Sequence, residues 1–342
     1  MRAVHVAAGL LLCLAAFAAG AQSARSAQPA PPQPIDIPAW FNDSFLDFRD
    51  DLREAAGKGK RLMLYFGQDG CPYCTELMQN NFSRKDITDK TRRHFEAIAL
   101  NIYGDRELIW TDGKLRSEKA FAAELKVQFT PTLLFLDERG TVLMRLNGYY
   151  PPNRFRAALD WVSDASAQRP PLAEALRAAA AEPAKPGLGA QPFFIKPPYR
   201  LLRAAGAKPL AVLFEHDSCA NCDEMHSKGF TDPRVKGLLG RFDIVRLPLF
   251  GRAAVQTPQG KATTAAEWAR SLGVAYSPSM VFFEAGGKEV FRVEAYVRPF
   301  HLAASLDYVV SGAYRTQPNF QRFIRDRAEV MREKGEQVDL WQ

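Results

Sequence analysis

The stretch LMLYFGQDGCPYC, residues 62–74, carries the decisive pattern: an apolar run followed after four residues by two cysteines that two residues separate. The same pattern returns as LAVLFEHDSCANC, residues 210–222, which places Cys219 148 residues after Cys71. A short apolar run with polar or glycine residues at its end predicts a buried strand that leads into a turn. The sulfurs of Cys71, Cys74, Cys219 and Cys222 are therefore the first candidates for the chain's chemistry.

The two halves of the chain match well beyond the cysteines. About 60 residues after each pair comes a Thr-Pro-Thr or a Ser-Pro-Ser turn, with Pro131 and Pro278 at an offset of 147 residues. The same offset pairs Phe95 with Phe242. Two unrelated domains would not keep one offset over so many landmarks, so the economical interpretation is a duplication. The length of 342 residues also suits two domains of ~150 residues each.

The N-terminus predicts export. Arg2, an apolar core from about Ala7 to Ala18 and the triplet Ala19-Gly20-Ala21 form the pattern that signal peptidase cleaves. Roughly 12 apolar residues are fewer than the ~20 that cross a bilayer, which favours a cleaved leader over a permanent anchor. The only other cysteine, Cys13, lies in this leader. We therefore expect a periplasmic or otherwise exported protein that is soluble after signal-peptide cleavage.

Composition divides the chain into five segments. We expect a signal peptide (1–21), a disordered Pro/Ala/Gln-rich tether (22–39), a first domain (40–166), an Ala/Pro-rich linker (167–198) and a second domain with a C-terminal helix (199–342). Within the linker, the stretch from Leu172 to Glu182 has a helical pattern. Such a linker lets two domains move independently or holds one against the other, and the sequence does not decide between these.

Each half shows the same predicted order of elements: strand, cysteine pair, helix, strand, helix, X-Pro turn, hairpin and helix. The first domain adds an initial helix from Ser44 to about Gly57, with Asp43 or Ser44 as its N-cap. Two polar excursions, 103–115 and 249–264, lengthen the path from the cysteines to the proline. They are binding loops or surface decoration.

The spacing of the cysteines predicts redox chemistry rather than a structural brace. A bridge across two residues closes a very small loop, which restricts the unfolded chain much less than a long loop does. A first cysteine at a helix N-terminus gains backbone N–H groups that stabilise its thiolate. Cys71 and Cys219 are therefore the predicted nucleophiles, and Cys74 and Cys222 are predicted to resolve the mixed disulfides.

This order of elements resembles the thioredoxin fold, and it does so twice. The resemblance implies an α/β fold class with two tandem thioredoxin-like domains, each a central mixed sheet flanked by helices. It also implies that the peptide bonds before Pro131 and Pro278 are cis, and that the backbone of Thr130 and Ser277 pairs with an extended substrate. Thr130, Pro131, Ser277 and Pro278 are thus the expected substrate-binding residues.

Further residues are similar to the SoxW-like group of exported thioredoxin-like proteins. They are Gly70 to Cys74, Asn101 to Asp105 and Thr130 to Thr132 in the first domain, and Phe214-Glu215, Cys219 to Cys222, Phe320 to Ile324 and Asp339 to Trp341 in the second. That resemblance implies a thiol–disulfide reductase that acts on disulfide-containing exported proteins. A membrane thiol transporter of the CcdA or DsbD type would be the electron donor.

Both halves depart from an ordinary thioredoxin behind the cysteines. The family's buried aspartate, six residues before the first cysteine, is replaced by Tyr65 and by Leu213. Proton transfer at the resolving cysteine then needs another base or water, and Glu215 and His216 are candidates in the second domain. We expect His226, on the helix after Cys222, to be a packing residue.

Other readings of the cysteines are weaker. Structural zinc pairs usually lie ~15–20 residues apart, and each pair here belongs to its own repeat. A c-type haem site needs a histidine directly after the pair, where Thr75 and Asp223 stand. We therefore expect no metal and no cofactor besides the cysteine pairs. The formal charge of +7 is spread along the chain, which disfavours nucleic-acid binding.

Two alternatives to a reductase stay open at this point. The protein could be a disulfide oxidase or isomerase, since the dipeptides between the cysteines, Pro72-Tyr73 and Ala220-Asn221, differ and do not reveal the potentials. The second domain could instead be a peptide-binding module with an inert cysteine pair beside Pro278.

Overall fold

The first domain is built around a four-stranded sheet. The computed structural model describes residues 32–340 apart from 165, 167 and 180–190. The elements of this domain are α1 (Phe48–Gly57), β1 (Arg61–Gly67), α2 (Pro72–Glu76), α3 (Lys85–His94), β2 (Phe95–Asn101), β3 (Glu107–Ile109), β4 (Leu115–Ser117), α4 (Glu118–Glu124), β5 (Thr132–Leu136), β6 (Val142–Asn147), α5 (Pro152–Ser163) and α6 (Leu172–Ala178). A π-helical turn, Leu77–Asn81, continues α2.

The strand order of this sheet is β2-β1-β5-β6. β1 pairs parallel with β2 and antiparallel with β5, and β5 pairs antiparallel with β6. Met63 and Tyr65 point to the layer that holds the cysteines and α5, whereas Leu64 and Phe66 point to the layer of α1 and α4. A central strand covered on both faces needs a continuous apolar run, which explains the opening of the decisive stretch.

The second domain repeats this architecture. Its elements are β7 (Tyr199–Arg200), β8 (Leu210–Glu215), α7 (Ala220–Glu224), α8 (Pro233–Leu239), β9 (Asp243–Pro248), β10 (Ala254–Gln256), β11 (Ala262–Thr264), α9 (Ala265–Ser271), β12 (Ser279–Phe283), β13 (Glu289–Val293), α10 (Pro299–Val310) and α11 (Phe320–Glu333). The strand order β9-β8-β12-β13 is that of the first sheet. From β5 and β12 onward, equivalent strands and helices begin 147 residues apart. The predicted fold class, two domains with mixed sheets flanked by helices, is confirmed.

The polar excursions fold into short antiparallel hairpins. β3 pairs with β4 in the first domain, and β10 pairs with β11 in the second. β10 also pairs parallel with β7, which makes a small three-stranded sheet.

The first helix starts later than its sequence pattern suggests. Asp47 is the N-cap of α1, and its side chain accepts a hydrogen bond from the Arg49 N–H at 3.1 Å. Ser44 donates its hydroxyl hydrogen to the Asp51 carboxylate instead, and Phe45 is fully exposed. The prediction of a helix from Ser44 is therefore wrong by about one turn, because Asp47 offers the better cap and Phe45 has no apolar partner.

Part of the predicted tether lies against the first domain. The Gly70 N–H donates to the Gln33 carbonyl at 2.8 Å, and Ile35 and Ile37 pack on the core that contains the cysteines. The predicted signal peptide, 1–21, lies outside the described residues, as does the tether up to residue 31.

The predicted linker contacts both domains at its described ends. Leu176 of α6 is buried in the first domain's core, and the Arg177 guanidinium lies 4.2 Å from the Phe250 ring centroid of the second domain. Further on, the Ile195 N–H donates at 2.8 Å to the carbonyl of Ile244, a residue of β9. Residues 180–190 lie outside the described part of the chain.

The two domains dock through equivalent positions of the repeat. Asn147 Nδ2 donates to Glu294 Oε2 at 2.6 Å, and a Cβ atom on Gly148 would lie 2.9 Å from the Ala295 Cβ. Each of these pairs is related by the offset of 147 residues. Contacts between equivalent residues mark an approximate two-fold axis, as in a symmetric dimer.

Aromatic residues close the same interface on either side of this axis. Phe129 packs on Phe291 and Phe320 of the second domain, with ring centroids 5.6 and 5.3 Å apart. Its repeat equivalent, Tyr276, packs on Tyr150 of the first domain at 4.3 Å. Phe129 lies two residues before Pro131, and Tyr276 lies two residues before Pro278. Both X-Pro loops therefore belong to the interface. The domains are held against one another, which the sequence left open.

No helix in the described part of the chain is long and apolar enough to span a membrane.

Candidate dithiol sites

The first cysteine pair lies where the central strand passes into a helix. Cys71 and Cys74 form a disulfide with Cα atoms 5.2 Å apart. Cys71 is the N-cap of α2, and the Cys74 N–H points at its sulfur at 3.1 Å. Gly70 supplies the positive φ of 69° that the turn before Cys71 requires. In the dithiol form the same N–H group would stabilise a Cys71 thiolate.

The first X-Pro loop lies directly over this pair. The Thr130–Pro131 peptide bond is cis, and the Thr130 carbonyl oxygen lies 3.4 Å from the Cys71 sulfur. The Gly148 N–H donates to the Pro131 carbonyl at 2.8 Å, which ties this loop to the end of β6. The structure thus brings together the four predicted site residues of the first domain.

The second pair repeats this geometry with one change. Cys219 and Cys222 form a disulfide, and the Cys222 N–H points at the Cys219 sulfur at 3.1 Å. The Ser277–Pro278 peptide bond is also cis. Here the Ser277 hydroxyl lies 3.2 Å from the Cys222 sulfur and 3.5 Å from the Cys219 sulfur. A hydroxyl donor beside both sulfurs favours a thiolate, whereas the first loop presents a carbonyl acceptor to Cys71.

Behind the first pair, a tyrosine takes the place that the family gives to aspartate. Tyr65 is buried, and its hydroxyl has no hydrogen-bond partner among the described residues. A Cβ atom on Gly67 would overlap that hydroxyl, so glycine at 67 makes room for tyrosine at 65. Burial raises the pKa of Tyr65 far above its usual value, which keeps the hydroxyl protonated.

Behind the second pair, a carboxylate and a histidine meet. Glu215 is fully buried, and its two carboxylate oxygens lie 3.0 and 3.1 Å from His226 Nε2. Leu213 and Glu215 point to the same face of β8, because side chains alternate along a strand. His226 packs against the Phe194 and Phe230 rings, as expected, and it also partners this buried acid.

His216, the other candidate base, is a turn residue. Its Nδ1 accepts a hydrogen bond from the Ser218 N–H at 3.1 Å. Burial, with smaller contributions from the Arg154 and Arg177 cations, lowers the pKa of His216 to about 4. The ring is therefore neutral at pH 7. Whether Glu215 or His216 moves a proton at Cys222 stays a prediction.

The tyrosine within the first pair reaches across to the second domain. The Tyr73 hydroxyl accepts a hydrogen bond from the Arg298 N–H at 3.0 Å, and its ring lies 5.2 Å from the His301 ring. Burial raises the pKa of Tyr73 to about 12. The dipeptide between the first two cysteines is thus part of the domain interface.

The second site is contacted from the first domain in turn. Arg154 of α5 donates from Nη1 to the Ser277 carbonyl at 2.9 Å, and its guanidinium lies 4.9 Å from the Tyr276 ring centroid. The Tyr276 hydroxyl accepts from Asn221 Nδ2, between the second pair of cysteines, at 3.0 Å. Sequence reasoning missed Arg154 and Tyr276. Aligning the repeats sets Arg154 against His301, but this difference alone does not reveal the contact.

The described residues contain no group of three or more His, Cys, Asp and Glu side chains that could hold a metal ion. What they contain is two disulfides, each at a strand-to-helix junction under a cis-proline loop. A fold and sites of this kind define a thiol–disulfide oxidoreductase with two thioredoxin-like domains.

Comparison with known families agrees. The sequence model described as a thioredoxin-like domain matches residues 48–163 and, a second time, residues 200–310. The chain belongs to this family, with two copies of the domain. No curated protein matches the sequence.

Several solved structures are similar to part of the chain. A thioredoxin-fold protein from Helicobacter pylori shares 29% identity over 31% of this chain and 70% of its own, with a TM-score of 0.28. A thioredoxin from Thermus thermophilus shares 22% identity, and the match covers 34% of this chain and 84% of the thioredoxin, with a TM-score of 0.28. The oxidised C-terminal domain of DsbD from Neisseria meningitidis shares 17% identity, and the match covers 33% of this chain and 84% of that domain, with a TM-score of 0.25.

Proposed function

We propose that the protein is an exported thiol–disulfide reductase that works on disulfides of other exported proteins. The observation that supports this most is the geometry of each pair: the first cysteine caps a helix and lies beside a cis-proline loop. A short bridge of this kind adds little stability, so reactivity is the better reason to retain it. The predicted export signal and the resemblance to the SoxW-like group support an oxidising compartment.

The reaction is a pair of thiol–disulfide exchanges. In the dithiol form, the Cys71 thiolate attacks a substrate disulfide, and one substrate sulfur leaves as a thiolate that takes up a proton. The mixed disulfide is then attacked by the deprotonated Cys74, which releases the second substrate thiol. Two electrons have passed to the substrate, and the enzyme is left with the Cys71–Cys74 disulfide. Cys219 and Cys222 would perform the same two steps.

The substrate would lie along the X-Pro loops. The Thr130 carbonyl lies next to Cys71 and the Ser277 hydroxyl lies next to Cys219 and Cys222, and an extended segment could add as a strand along these loops. A membrane thiol transporter of the CcdA or DsbD type would return the dithiol form. This donor rests on the resemblance alone.

Measured reduction potentials test the direction of the reaction. We expect values near ~−270 mV for both pairs, whereas values near ~−120 mV would overturn the reductase in favour of an oxidase. Trapping with Cys74→Ala and Cys222→Ala identifies the partners as mixed disulfides. If Cys74→Ala traps many proteins, Cys222→Ala traps none and dithiothreitol does not reduce Cys219–Cys222 in the full chain, the second domain is a binding module instead.

A further inference from the structure

Both reactive sites are hidden in the docked chain. Cys71 is 3% exposed and Cys219 is fully buried, and Thr130 and Ser277 are 5% and 2% exposed. Tyr276 and Ala295 of the second domain belong to the same buried cluster as Cys71 and Cys74. An in-line attack on a protein disulfide therefore requires that the residues covering the cysteines, which come from both domains, move away.

Arg154 is the polar contact that closes the second site. This side chain is 6% exposed, and a buried guanidinium must find acceptors because the loss of hydration is costly. Its acceptor is the Ser277 carbonyl, with the Tyr276 ring beside it. On the proposed function, the Ser277 main chain is where a substrate strand would pair, and its hydroxyl lies beside both sulfurs. The carbonyl could accept a second hydrogen bond, but Ser277 is only 2% exposed, so a substrate strand cannot approach it while Arg154 is in place.

We infer that Arg154 of the first domain gates the second site: it occupies the Ser277 carbonyl, so a protein substrate can reach Cys219 only when the two domains separate. The inference rests on the proposed exchange function of that site. A charge-assisted hydrogen bond in a dry interface is among the stronger single contacts, and its geometry is lost as soon as α5 and the Ser277 loop move apart.

The gate is asymmetric between the repeats. The position equivalent to Arg154 is His301, which lies against the Tyr73 ring rather than reaching a carbonyl. The Thr130 carbonyl lies beside the Cys71 sulfur. Substituting Arg154 should therefore act on the second pair more than on the first.

The test follows the redox state of each pair in the full chain by differential alkylation and peptide mass spectrometry. The oxidised protein is mixed with reduced thioredoxin, as a folded protein probe, or with dithiothreitol, as a small one. We expect Arg154→Gln to speed reduction of Cys219–Cys222 by the protein probe about tenfold, the order of effect of one charge-assisted hydrogen bond on a two-state equilibrium. The rate with dithiothreitol should rise less, so the ratio of the two rates increases. Arg154→Lys, which keeps one cationic donor, should restore part of the slow rate.

Two further variants complete the design. Arg156→Gln removes an exposed arginine of the same helix, which pairs with Asp86, and should leave both rates unchanged. Asn147→Asp keeps the shape of the side chain but sets a carboxylate against Glu294, so it should open the interface without touching Arg154. Asn147→Asp also tests the gate if Arg154→Gln does not fold.

The ratio to compare is the rate of Cys219–Cys222 reduction by thioredoxin divided by the rate with dithiothreitol. If this ratio is the same in wild type, Arg154→Gln and Asn147→Asp, the gate is overturned and the redox function still stands. If neither reagent reduces Cys219–Cys222 in any variant, the proposed function of the second site fails and the inference fails with it.

Discussion

Tyr65 and Glu215 show how the two repeats differ on the strand that precedes the cysteines. The first domain has a bulky residue at 65 and glycine at 67, and the second has Leu213 and Glu215. Each arrangement buries one polar side chain on the strand face towards the cysteines, a phenol in one case and a carboxylate paired with His226 in the other. The two pairs therefore have different surroundings for proton transfer, although the Cα atoms of each pair are 5.2 Å apart.

His301 predicts how stability depends on pH. Burial, with a smaller contribution from the Arg298 cation, lowers the pKa of His301 to about 4 from 6.5. Between these values the unfolded chain binds a proton that the folded chain does not. The contribution of neutral His301 to the free energy of unfolding is thus fully present above pH 6.5 and is lost as the pH falls towards 4. We expect His301→Phe, which keeps the ring contact with Tyr73, to flatten the loss by up to ~1.4 kcal/mol per pH unit.

Urea unfolding at pH 7, 6 and 5 measures this slope. His94→Gln is the control, because His94 is only partly buried and its pKa is lowered less. Parallel pH profiles for His301→Phe and wild type would show that His301 is protonated at its ordinary pKa in the folded protein.

At the scale of an element, the C-terminal helix α11 belongs to both domains. It lies beyond the part of the chain that matches the family, which ends at residue 310. Phe320 is fully buried among Phe129 of the first domain and Phe291 and Tyr308 of the second. Gln321 donates to the Gln128 carbonyl at 2.9 Å. The helix therefore acts as a clamp across the domain boundary.

Truncating Phe320 should weaken this clamp strongly. Phe320→Ala leaves a cavity in a dry aromatic cluster, and changes of this kind cost about 3–5 kcal/mol. Val330→Ala on the same helix removes an exposed side chain and should cost less than about 0.5 kcal/mol. Guanidinium unfolding of both variants gives the comparison. A loss below about 1 kcal/mol for Phe320→Ala would mean that the cluster refills or that α11 is not needed for stability.

At the scale of the whole molecule, the two repeats of the single chain are arranged like the subunits of a symmetric dimer. The approximate two-fold axis passes between Asn147 and Glu294 and between Gly148 and Ala295, which are the same positions in the two copies. Each X-Pro loop is covered by the other domain. The chain thus protects its cysteine pairs in the way that two subunits would, with the linker fixing the local concentration.

Gly148 is the position where this docking is most sensitive. It has a φ of 84°, and a Cβ atom there would crowd the Ala295 side chain. Gly148→Ala should therefore shift the chain towards separated domains, seen as a larger radius of gyration in small-angle X-ray scattering and faster alkylation after reduction. Gly206→Ala carries the same backbone strain at a φ of 80° with nothing within 4 Å, so it should leave the radius unchanged. An unchanged radius in Gly148→Ala would contradict the docked arrangement.

The sequence by itself determined the local structure and the cysteine sites. The apolar runs and the spacing of Cys71 and Cys74 involve only residues close together in the chain. The repeat that relates Pro131 to Pro278 is visible because many landmarks keep nearly the same offset. Helix starts were less accurate, as at Asp47, because a cap is chosen by which side chain reaches the free N–H groups.

Only the tertiary structure decided how the two sites relate. The contacts of Arg154 with Ser277 and of Tyr73 with Arg298 join residues 123 and 225 positions apart. The repeat predicts that both domains have the same shape, but it does not predict which faces meet. That choice depends on the summed fit of both surfaces, which no single stretch of sequence contains.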